Sequence, residues 1–103
     1  MHNCVYLLGR LANDPTVEKN GRKKFILMNV TVEHIIKDKD NGYETDTIPV
    51  EIYFTNLETY LDHIHSGDMV GIRGFIKNRD GILVVICDKL SFLSRKDNED
   101  ETE

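Results

Sequence analysis

The chain has no tryptophan, so any stacking on an aromatic ring must use its four tyrosines and four phenylalanines. It has two cysteines, Cys4 and Cys87, far apart and in no Cys-x-x-Cys spacing. That excludes a disulfide scaffold and argues against a structural zinc site. The two read as small buried apolar side chains in a reducing cytoplasm, with one bridge as the alternative. No apolar run approaches the roughly 18 residues that a membrane helix needs. The opening segment MHNCVYLLGRL lacks the basic region and small-residue cleavage site of a signal peptide. An excess of positive charge is also missing, since the net charge is −5.

That charge is unevenly placed. The final segment DNEDETE holds five acids, Asp97, Glu99, Asp100, Glu101 and Glu103, and no base. Removing those five from the 18 acids leaves 13, equal to the 13 bases. The rest is a neutral body, so anion binding would need a local patch. With nothing apolar to bury, residues 95–103 read as a disordered acidic tail behind one domain over 1–94. A length of 103 residues suits one domain with one core.

What is present is alternation. Residues 3–12, NCVYLLGRLA, read as a strand stopped by Asn13-Asp14-Pro15. A polar stretch over 16–23 carries the hairpin-type turn Asn20-Gly21. The long strand over 24–36 puts Ile26, Met28, Val30 and Val32 on one face, and Phe25, Leu27, Asn29, Thr31 and Glu33 on the other. A charged loop over 37–44 surrounds Asn41-Gly42. In the strand over 46–54, Ile48, Val50, Ile52 and Phe54 oppose Thr47, Pro49, Glu51 and Tyr53. Pro49 cannot donate to a ladder, which places an edge or a bulge there. Leu57, Tyr60, Leu61 and Ile64 then change to helical spacing, with Asn56 as cap and Gly67 as stop. Strands from Met69 to Arg79 and from Ile82 to Leu93 follow, joined at Arg79-Asp80-Gly81.

Three strands, a helix and two strands is the connectivity of the OB-fold, an all-β, five-stranded Greek-key barrel that binds oligonucleotides or oligosaccharides. One crossover helix is too few for a parallel α/β sheet.

The segment NCVYLLGRLANDP resembles the opening of bacterial single-stranded DNA-binding proteins, Asn-x-Val-x-Leu-x-Gly-Arg-Leu-x-x-Asp-Pro, at every fixed position. MNVTVE, DTIPVEIYF and YLDHIHSGDMVGIRGFI resemble further segments of that family in the same order. The similarity extends over nearly all of residues 1–93. It implies a non-enzymatic homodimer or homotetramer, without cofactor or metal, that coats single-stranded DNA in replication, recombination and repair in the cytoplasm. It also implies that the first strand pairs with its symmetry mate. Cys4, Tyr6 and Leu8 on its outer face are then the oligomer contact, with packing beneath the polar loop as the alternative. Three features depart from the family. Tryptophan is absent, the last turn is tight, and the tail lacks the Asp-Asp-Asp-Ile-Pro-Phe-like tip that partner enzymes grip.

The binding face follows from the alternation. A non-specific single-strand binder needs aromatic platforms for bases and cations for phosphates. Between Met69 and Arg79 one face carries Arg73, Phe75, Lys77 and Arg79. Two registers compete in the third strand. Phe54 shares the core face, so Tyr53, beside Thr47 and Glu51, is the stacker; a slip by one residue would bury Glu51. Candidate platforms are Tyr53, Phe75, Phe25 and Tyr43. Candidate phosphate contacts are Arg10, Arg22, Lys23, Lys24, Lys37, Lys39, Arg73, Lys77 and Arg79. Phe75 could instead pack under a loop or a second subunit, and Phe25 could be a subunit contact.

Other signals carry no chemistry. His63 and His65 lie about 200° apart on a helix and cannot share an ion. Gly71-Ile72-Arg73-Gly74 lacks the third glycine and the helix of a dinucleotide fingerprint, and Asn20-Gly21-Arg22-Lys23-Lys24 lacks the Gly-Lys-Ser/Thr end of a phosphate loop. Asp46 and Glu51 form no constellation with a base or nucleophile. Alternative readings are a primosomal replication-restart protein, a phage- or plasmid-borne relative, and an OB-fold subunit that binds only protein.

Overall fold

In the computed structural model, residues 1–38, 42–53 and 57–94 are described, without the side chains of 35–38, 43, 57 and 58. The readings made for Lys39, Asn41, Phe54, Asn56 and the tail, and for the side chains of Lys37 and Tyr43, lie outside these.

Six strands and one helix follow in order: β1 (Val5–Leu11), β2 (Thr16–Asn20), β3 (Lys23–Asp38), β4 (Gly42–Ile52), α1 (Leu57–His63), β5 (Met69–Arg79) and β6 (Ile82–Ser94). The sheet order is β1-β5-β6-β4-β3-β2. Arg10 and Leu11 at the end of β1 also pair with Thr31 and Val30 of β3, which closes the sheet into a barrel. The fold is the OB-fold. Its one parallel pairing joins Val50–Ile52 of β4 to Val85–Cys87 of β6.

One strand escaped the sequence reading. Thr16–Asn20 is wholly exposed, so it has no apolar alternation to show. It forms because Gly21, at φ 65°, lets the chain turn back onto β3, where Val17 meets Ile26 and Asn20 meets Lys23. With β1 it makes one bent first strand. The bend is tied down by Ala12 N–H to the Asn29 carbonyl at 2.8 Å and Ser66 N–H to the Asp14 carboxylate at 2.7 Å. The loop expected over 37–44 is also shorter than its polarity suggested. Lys37 pairs with Tyr43, and β4 begins at Gly42.

The core follows the alternation. Ile26, Met28 and Val30 face inward from β3, opposite Ile52, Val50 and Ile48 of β4. Val70 and Ile72 of β5, Leu11, Cys87 and Ile64 complete the cluster, and Tyr60 and Leu61 pack against it. Burial pushes the Cys87 thiol up to about 11. Cys4, expected to be buried, is exposed among the described residues, just ahead of β1. Pro49 sits where pairing to β6 has not yet begun, so the donor it lacks is not needed on that side. The β5–β6 hairpin turns through Asp80 (φ 52°) and Gly81 (φ 90°), both in the left-handed region that a two-residue hairpin requires. Gly81 N–H donates to the Asn78 side chain at 2.8 Å.

Candidate nucleic-acid interface

Two of the expected platforms meet. Tyr53, the residue after β4, and Phe75 of β5 line one open cavity of about 410 Å³ with Asn20, Lys23, Lys77, Arg79 and Ile86. The register explains the convergence. Glu51 of β4 lies beside Ile86 of β6, and Ile86 lies across from Phe75 of β5. Side chains of one parity on three adjacent strands therefore share one surface. Phe75 is 37% exposed.

Phe25 is not a free platform. It is 7% exposed, and its ring lies 5.0 Å from that of Tyr53 at an interplanar angle of 36°. It supports Tyr53 from beneath, because β3 and β4 are neighbours and Phe25 stands at the β2–β3 end of the barrel.

Glu51 departs from expectation as well. Its face was read as open to solvent or ligand, yet it is 8% exposed. Arg79 covers it, donating from Nη1 to Oε2 and from Nη2 to Oε1, each at 2.8 Å. Tyr53 donates its hydroxyl to Oε1 at 2.6 Å. The Arg79 hydrogen bond holds the Glu51 carboxyl below the usual carboxylate range. Burial, then Glu51, raises the Tyr53 phenol, and Glu51 raises Arg79. Arg79 thus stands at the cavity wall paired with a carboxylate.

The other cations divide. Lys23 and Lys77 line the cavity and have no ion-pair partner among the described residues. Lys24, one residue on, points to the opposite face of β3, where it is exposed across from Lys19. Arg22 is exposed in the β2–β3 turn and is not among the lining residues. Arg73 is paired with Asp88, Nε to Oδ1 at 2.8 Å, and lines a different cavity with Tyr6, Leu8, Lys89 and Leu93. Arg10 donates to the Gly67 carbonyl at 2.8 Å and borders a third cavity with Thr31 and Glu33. Asn20 and Ile86 were missed by sequence reasoning. Asn20 had been assigned only to a turn, and nothing in the order of residues brings Ile86 beside Phe75.

Tyr6 and Leu8 are 74% and 62% exposed. They stand on β1, whose residues Val5–Gly9 pair with β5 on one side. Pairing to β3 starts only at Arg10, so the other edge of Val5–Gly9 is open among the described residues.

No protein-family model matches the chain. Curated relatives do. A single-stranded DNA-binding protein of Clostridium tetani is 30% identical over 101 residues, covering 88% of this chain and 70% of that protein. Single-stranded DNA-binding protein 1 of Clostridium acetobutylicum is 24% identical over 108 residues, covering 91% and 96%. Among solved structures, the Plasmodium falciparum SSB in complex with ssDNA superposes with a TM-score of 0.71 at 20% identity, covering 91% of this chain and 97% of that one. The wild-type single-stranded DNA binding protein of Thermus aquaticus gives 0.74 at 16% identity, covering 93% and 52%. The two structures speak for the fold, and the clostridial sequence for the family. With the barrel, the platform-lined cavity and the open β1 edge in place, the chain belongs to the single-stranded DNA-binding protein family.

Proposed function

We propose that this protein binds single-stranded DNA without sequence preference, as a homo-oligomer joined through β1, and serves replication, recombination or repair in the cytoplasm without catalysis. The observation that carries the reading is the one cavity that Tyr53 and Phe75 line together with Lys23 and Lys77. Bases have π-faces of every kind in common, so two rings accept any sequence, and two lysines hold the backbone that joins the bases. The clostridial relatives carry the same function in their names.

The test is fluorescence anisotropy with a labelled poly-dT strand of about 35 nucleotides. Wild type is compared with Tyr53→Ala/Phe75→Ala. Each lost platform is worth roughly 1–3 kcal/mol, so the double variant binds at least about thirtyfold more weakly. Binding that survives both substitutions would move the site to another face. No wild-type binding at low salt would leave a protein-interaction module on this barrel.

A further inference from the structure

The ion pair in the wall of the cavity has a geometry that phosphate binding does not require. Tyr53 lies one residue beyond the end of β4. The Asn20 side chain hydrogen-bonds its hydroxyl, and three further contacts converge on it. The Phe25 ring lies beneath it at 5.0 Å. Its hydroxyl donates to Glu51 Oε1 at 2.6 Å. Arg79 Nη2 reaches the hydroxyl oxygen at 3.3 Å while gripping both carboxylate oxygens. A phosphate that recruited Arg79 would have to break this two-bond pair and set a second negative charge beside Glu51, which is all but closed to solvent.

We propose that Glu51 and Arg79 are positioning residues: they lock the Tyr53 ring in the orientation on which a base stacks, and Arg79 makes no phosphate contact. This rests on the single-strand-binding reading and adds a cause for its strength. With no tryptophan available, a smaller ring loses less affinity if its ordering cost is met before DNA arrives. Phe75 has no such clamp among the described residues, so the two platforms of one cavity are unequal.

The experiment uses the full chain, the same poly-dT strand and four salt concentrations. The variants are Tyr53→Phe, the charge-neutral pair Glu51→Leu/Arg79→Met, which leaves the hydroxyl no acceptor at position 51, and all three changes together. Tyr53→Phe keeps the ring and removes only the clamped hydroxyl. The expected result is binding roughly two- to tenfold weaker, the worth of ordering one side chain, with an unchanged salt dependence. The pair should lose a similar factor, again with unchanged salt dependence, and adding Tyr53→Phe to it should cost nothing more. In the pair, without any DNA, the phenol titration followed by absorbance should fall by the part Glu51 contributes while burial keeps it raised; an unmoved titration would mean that Glu51 does not grip the hydroxyl. Tyr53→Phe binding like wild type would overturn the proposal. So would a flatter salt dependence in the pair, which would make Arg79 a phosphate contact. Thermal melts show which variants are folded, and Tyr53→Phe decides the matter alone if the pair unfolds. If wild type itself does not bind, the single-strand reading falls and takes this proposal with it; if wild type binds and Tyr53→Phe is silent, only the proposal falls.

Discussion

Salt dependence offers a count of the charges that meet DNA. Four side chains in the binding row expected from sequence and its flank are cationic: Lys23, Arg73, Lys77 and Arg79. Two of them are spent on carboxylates, Arg73 on Asp88 and Arg79 on Glu51, both at 2.8 Å. Lys23 and Lys77 remain. For a single strand, each neutralised phosphate contributes about −0.7 to the slope of log K against log salt. Replacing both lysines, Lys23→Gln/Lys77→Gln, should therefore make the slope shallower by about 1.4. At about 0.1 M salt, one decade below the 1 M reference, each lost contact costs about 0.7 of a decade, and the two together weaken binding by about twenty-five-fold. Anisotropy titrations over about one decade of salt, from roughly 0.03 to 0.3 M, would resolve that change. In contrast, the neutral exchange Arg73→Gln/Asp88→Asn should leave the slope where it was. A slope unmoved by removing both lysines, or lowered by removing the Arg73 pair, would refute the assignment of free and spent cations.

Two further outcomes test the scaffold. A Cβ on Gly74 would lie 1.9 Å from the Ile86 carbonyl oxygen, a backbone atom that cannot step aside. Gly74→Ala should cost at least the roughly 1–3 kcal/mol of core overpacking, about 10 °C in melting temperature for a domain of this size, and a melt within 2 °C or so of wild type would refute the close β5–β6 approach. Leu8→Glu should weaken self-association: burying a leucine is worth roughly 1.5 kcal/mol or more and a twofold interface counts it twice, giving about two decades in the dissociation constant. Sedimentation over a concentration series reads this directly, and an unchanged oligomer would remove β1 from the interface.

The barrel was legible because its strands alternate. Ile26, Met28 and Val30 needed no partner to be identified as inward-facing, and the period change at Leu57 placed the helix between the third and fourth long strands. Thr16–Asn20 was not legible: a strand exposed on both faces leaves no pattern, and only its pairing with β3 reveals it. The third-strand register chose Tyr53 as the stacker, and Tyr53 does line the cavity, but the reason behind the choice failed in part. Glu51 was kept out of the core on the ground that a buried carboxylate is costly, and it is nonetheless covered, because Arg79, 28 residues away in sequence, neutralises it.

The sequence by itself determined which residue types were available to a ligand and which strand faces were polar, since both follow from composition and a period of two. It also carried the family resemblance in its first thirteen positions. Only the tertiary structure decided which of the described candidate cations are paired with carboxylates, Arg73 and Arg79, and which line the cavity without such a pair, Lys23 and Lys77. Charge pairing depends on register between strands that are distant along the chain, and a shift of one residue would have paired Glu51 and Asp88 with other side chains, or with none. The same closure sank Phe25 beneath Tyr53, put Phe75 across from Ile86, and left the β1 edge open.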